Sequence, residues 1–129
     1  MPRLKAKIQK ENTPNPTFIE LIIDSIQDIK GKRITLLDLT KLQDASANYF
    51  IICEGESSTQ IKAIAANVAR RAKDEAGISA FRTEGQIGAR WVLVDFFDVV
   101  VHVFDKATRQ YYDLEDLWSD ASSKEYQNL

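Results

Sequence analysis

Asp95, Asp98, His102, Cys53 and the Gly55-Glu56-Ser57-Ser58 turn are the residues whose types and spacing could do chemistry. A glycine-serine loop between a strand and a helix, followed by paired aspartates, is how nucleotidyltransferases hold a nucleotide and Mg2+. Backbone N–H groups and hydroxyls of such a loop can receive phosphate. This loop lacks a Walker lysine and the repeated glycines of a dinucleotide fingerprint, and Glu56 would repel an anion. Helix capping by Ser57 or Ser58 is therefore the favoured reading. The aspartates are three apart and flank a turn, whereas a shared metal wants carboxylates two apart on one strand face, so turn chemistry is favoured over metal binding. His102, the single histidine, alternates with Val101 and Val103 and has no serine or cysteine beside it to activate. It reads as a sheet residue that fixes a local hydrogen bond or faces a partner. Cys53, the single cysteine, continues the apolar run Ile51-Ile52 and reads as inert packing.

The elements that must position these residues follow from periodicity. Apolar residues 18, 19, 22, 26 and 29 recur at helical spacing, with Thr17 and Glu20 in a capping-box pattern and Lys30-Gly31 as a stop. Strands are expected at Arg33 to Leu39 and Tyr49 to Glu54. A second helix, capped near Ser57 and striped by Ile61, Ile64, Ala65, Val68 and Ala72, should end at Gly77. A short strand near Ile78 to Thr83 and an antiparallel hairpin of Arg90 to Asp95 with Val99 to Phe104 come next, then helical turns from Ala107 to Trp118. This order predicts a single α/β domain with a mixed five-stranded sheet flanked by helices. Residues 17–120 form that domain, 1–16 a flexible basic extension, and 121–129 a frayed tail.

Composition bounds the partner. The chain has 129 residues, 44% hydrophobic and 28% charged, with a net charge of -2. That argues against a general nucleic-acid binder, which needs a basic face. One cysteine, no signal-like apolar start and an apolar stretch interrupted by Asp95, Asp98 and His102 lead to the expectation of a cytoplasmic protein. The first 16 residues carry Arg3, Lys5, Lys7 and Lys10 against Glu11, leaving a net -5 on the rest. Acid gathers late in the chain: from 94 to 120 seven Asp and Glu oppose only Lys106 and Arg109. Trp91, Phe96, Phe97, Phe104, Tyr111, Tyr112 and Trp118 crowd the same third. Strand alternation puts Val92, Val94 and Phe96 on a core face and Trp91, Leu93 and Asp95 on the other, an acidic aromatic surface suited to a basic protein.

The ordered set of motifs over about residues 18 to 120 resembles the RsfS/Iojap family of ribosomal silencing factors. It comprises Asp38-Leu39-Thr40, Asn48-Tyr49-Phe50-Ile51-Ile52-Cys53 with Gly55-Glu56-Ser57-Ser58, Gln60 to Ala65, and Glu84-Gly85. Trp91-Val92-Leu93-Val94-Asp95-Phe96, Asp98 to Phe104 and Tyr112 to Trp118 complete it. The resemblance implies a nucleotidyltransferase-like topology without the catalytic machinery, no cofactor and no metal. It also implies binding to large-subunit ribosomal protein 14 that blocks subunit joining and represses translation when nutrients run short. On this reading Trp91 is an exposed anchor, and Asp95, Asp98, His102 and Leu114 are further contacts. A Mg2+-dependent nucleotidyltransferase is the alternative, and monomer or homodimer stays open. The family usually has glycine before the hairpin aspartate; here Phe97 stands there, so either an altered turn or an added exposed aromatic is expected.

Overall fold

The computed structural model describes residues 16–129; the expected basic extension lies outside the described residues except for Pro16. Ten elements follow in order. They are α1 (Pro16–Asp28), β1 (Lys32–Asp38), β2 (Tyr49–Glu54), α2 (Ser58–Ala76), β3 (Arg82–Glu84), β4 (Trp91–Asp95), β5 (Val99–Phe104), α3 (Lys106–Tyr112), α4 (Leu114–Leu117) and β6 (Ser122–Tyr126). α1 starts at Pro16, whose fixed φ suits a first helical position, so Thr17 lies inside the first turn and not at the cap.

The sheet has six strands in the order β3-β4-β5-β2-β1-β6, one more than expected. The additional strand is β6, which pairs antiparallel with β1 from Ile34↔Tyr126 to Asp38↔Ser122. The tail expected to fray is thus an edge strand. Its residues are nearly all exposed, so main-chain pairing holds it without an apolar stripe that periodicity could reveal. β2 and β5 pair parallel and the other neighbours antiparallel. A parallel pair requires a crossover, and the segment carrying α2, β3 and β4 supplies it.

Two apolar layers sandwich the sheet. On one face Phe18, Ile22 and Ile26 of α1 and Ile61, Ile64 and Val68 of α2 pack on Ile34, Ile51, Val92, Val94, Val101 and Val103. On the other, Leu37, Leu39, Ile52, Phe104 and Leu114 form a smaller core with Phe50, Trp91 and Trp118 at its margin. β5 lies between both layers, and all six of its residues are buried. Burying one such Val or Phe stabilises by roughly 1.5–3 kcal/mol, so β5 is the centre of the fold.

Candidate functional site

β4 and β5 build the site through their register. Trp91 stands opposite Phe104 and Leu93 opposite His102, so the residues on the face away from α1 and α2 meet side by side. The expected alternation holds: Val92, Val94 and Phe96 are buried, while Trp91, Leu93 and Asp95 are partly exposed. The Trp91 indole stacks on Phe104 at 4.9 Å and 27° and packs against Tyr112 at 4.8 Å. Its Nε1–H donates to His102 Nδ1 at 3.0 Å. Trp91 is therefore half-buried and tethered, not the freely exposed anchor expected from sequence. What it offers outward is one wall of an open cleft of about 530 Å³, lined by Arg90, Ala107, Thr108, Tyr111 and Tyr112. Tyr111 is 81% exposed and Tyr112 50%.

Short helices hold the other wall. Asp105 caps α3 by accepting from the Thr108 backbone N–H at 2.7 Å. Asp113, in the left-handed region at φ 48, ends α3 and caps α4 through the Asp116 N–H. Two carboxylates that looked like surface charge thus set the path that presents Tyr111 and Tyr112.

His102 is 4% exposed and offers no surface of its own, contrary to the contact expected of it. Burial pulls its pKa down to about 4, with Asp95 opposing weakly, and the imidazole is neutral near pH 7. Because Nδ1 accepts from Trp91, the proton is assigned to Nε2, which has no hydrogen-bond partner among the described residues. Leu114 is likewise buried, at 9% exposure, and belongs to the smaller core. Beside it Trp118 packs edge-on against Phe50 at 6.2 Å and lines a second cleft of about 420 Å³ with Leu42 and Leu117.

Asp95 and Asp98 have separate duties. The Asp95 carboxylate accepts the Phe97 backbone N–H at 2.7 Å and pairs with Arg82 at 3.3 Å, so it caps the hairpin turn. The Asp98 carbonyl accepts from Asn48 and Tyr49, which ties the turn to the start of β2, and partial burial raises its carboxyl pKa. Phe97 adopts φ 70, in the left-handed region that favours glycine. Its ring is 62% exposed and lies 4.3 Å from that of Phe81. Ser57 caps α2 by accepting from the Gln60 N–H, and Gln60 returns to the Glu56 N–H and to the carbonyls of Ile29 and Lys30. Two of the loop's N–H donors are thus engaged, that of Glu56 on Gln60 and that of Gly55 on the Phe104 carbonyl. Cys53 is fully buried in the larger core and pushed up to about 12 by burial, which removes thiolate reactivity. Among the described residues no three His, Cys, Asp or Glu side chains converge as a metal site, and no helix is long and apolar enough to cross a membrane.

Periodicity gave no hint of Arg109. Its guanidinium, 7% exposed, reaches Glu54 at 3.2 Å, Glu115 at 2.6 Å, Thr35 at 3.2 Å and the Arg33 carbonyl at 2.7 Å. It fastens α3 and α4, and with them Tyr111 and Tyr112, to β1 and β2. Helical spacing places Arg109 among exposed residues, and only the tertiary fold brings the two glutamates to it.

The family model described as ribosomal silencing factor during starvation matches residues 11–129. A ribosomal silencing factor of Halalkalibacterium halodurans is 39% identical over 115 residues, 89% of this chain and 97% of that protein. One of Bacillus subtilis is 44% identical over 105 residues, covering 81% and 87%. A crystal structure of a Chromobacterium violaceum protein superposes with a TM-score of 0.75 at 44% identity, over 80% of this chain and 84% of that one. The family model spans every strand of the sheet that builds the cleft, and the chain belongs to the RsfS family of ribosomal silencing factors.

Proposed function

We propose that this protein silences translation by binding large-subunit ribosomal protein 14 and sterically blocking the small subunit from joining, in a regulatory role without catalysis. The observation that carries the reading is the open Trp91–Tyr112–Tyr111 cleft with acid beside it. Aromatic walls anchor a partner, and the exposed Asp113 and Asp116 that follow Tyr112 in the chain favour a basic one. Trp91 is the anchor. Asp95 and Asp98 support the surface by shaping the hairpin, and His102 and Leu114 act from beneath it. This fits a soluble, cytoplasmic protein, and a steric blocker needs only one copy per ribosome.

Co-sedimentation with large subunits at matched salt tests the surface. Trp91→Ala should weaken binding by on the order of 2 kcal/mol, roughly 30-fold. Because Trp91 also packs on Phe104, Tyr111→Ala serves as a second variant that leaves the core intact, and it should weaken binding as well. The intact protein should lower the fraction of joined subunits in a sucrose gradient. Normal binding by both folded variants would place the partner elsewhere.

A further inference from the structure

We propose that His102 is a positioning residue whose role is to hold the Trp91 indole in its binding pose. This rests on the reading of the Trp91 cleft as the partner surface. The geometry is a buried imidazole on β5, 4% exposed, whose Nδ1 accepts the Trp91 Nε1–H at 3.0 Å. Phe50 meets the imidazole edge-on at 4.5 Å and Phe104 lies nearly parallel to it at 6.2 Å, so the ring has little freedom to turn.

What makes this more than packing is what the imidazole gives up. Its Nε2–H is buried with no hydrogen-bond partner among the described residues, which costs free energy that an aliphatic or phenyl side chain would not incur. Its neighbours on the same face, Phe50, Ile52 and Phe104, are apolar, with Ile52 directly opposite on β2, and a leucine at 102 would satisfy that layer. The indole does not need His102 for solvation either. Trp91 is partly exposed, and its N–H would find water if the ring swung outward. Among the described residues the bond at Nδ1 is the one side-chain hydrogen bond the imidazole makes. Its effect is to pull the indole edge inward, which presents the ring between Phe104 and Tyr112 as a fixed wall of the cleft. A rotamer fixed before contact saves the ordering cost at association.

The test uses the full chain labelled with 15N, in which the only indole N–H groups belong to Trp91 and Trp118; a Trp118→Phe variant assigns them. In the parent the Trp91 indole N–H should be protected from solvent exchange. In His102→Leu it should shift and exchange at least tenfold faster, while the protein unfolds in urea at the same or a higher midpoint. Binding to large subunits should fall about 5- to 10-fold. His102→Gln, which keeps a side-chain acceptor, should restore part of both signals. An unchanged indole resonance in folded His102→Leu overturns the positioning role, as does a changed resonance with full binding when Trp91→Ala binds weakly. Full binding by Trp91→Ala together with a changed resonance upholds the positioning and overturns the surface instead.

Discussion

Replacing Arg109 with methionine removes the fastening between the C-terminal helices and the sheet while keeping most of the side-chain volume. Arg109 donates charge-assisted hydrogen bonds to the carboxylates of Glu54 and Glu115 and to two neutral acceptors, the Thr35 hydroxyl and the Arg33 carbonyl. Breaking a buried pair by deleting one partner costs about 3–5 kcal/mol, because the other charge stays behind in a poor dielectric. Here the abandoned charge is Glu54, whose residue is 8% exposed. Arg33, at 3.4 Å and with a 70% exposed side chain, can still screen it, so the lower figure, about 3 kcal/mol, is the expectation. For a domain stable by about 5–15 kcal/mol that is a large fraction. Urea unfolding followed by circular dichroism measures it. Adding Glu54→Gln should recover part of the loss, with a coupling of about 1 kcal/mol or more. A single-variant cost under about 1 kcal/mol, or strict additivity in the double variant, would refute the claim that this network holds α3 and α4 in place.

Two further outcomes are expected. Gly85 has φ 91, and a Cβ there would run into the Trp91 carbonyl, so Gly85→Ala should destabilise by about 2 kcal/mol or more and shift the Trp91 indole resonance; a neutral unfolding midpoint would contradict it. Acid should weaken the fold through His102, because its folded value of about 4 lies below the ordinary 6.5 and the unfolded chain takes up the proton first. This contribution is fully present above about pH 6.5 and lost as pH falls to about 4, on the order of 3 kcal/mol in all. Stability measured across that window should fall less steeply in His102→Leu than in the parent, and equal slopes would count against it.

Much of the fold was legible from local rules. The stripe of α2, the stop at Gly77, the Ser57 cap and the split of β4 into a buried and an open face are one-dimensional patterns, and each stands where expected. β6 and Arg109 were not legible, since Ser122–Tyr126 has no apolar alternation and Arg109 sits in a polar helix. The site was legible only in part. The open side of β4 that carries Trp91 was legible, whereas His102 and Leu114 were expected at the surface and are buried.

The sequence by itself determined the α/β class, the two large helices, the antiparallel hairpin, the acidic aromatic character of the last third and the family resemblance. These depend on residue type and spacing within short windows. The tertiary structure alone decided that β2 and β5 lie parallel, that the tail closes the sheet and that Glu54 meets Arg109. It alone decided that the Trp91 indole bonds to His102. Those are contacts between distant or cross-strand positions, set by register and packing, and no local pattern encodes a register.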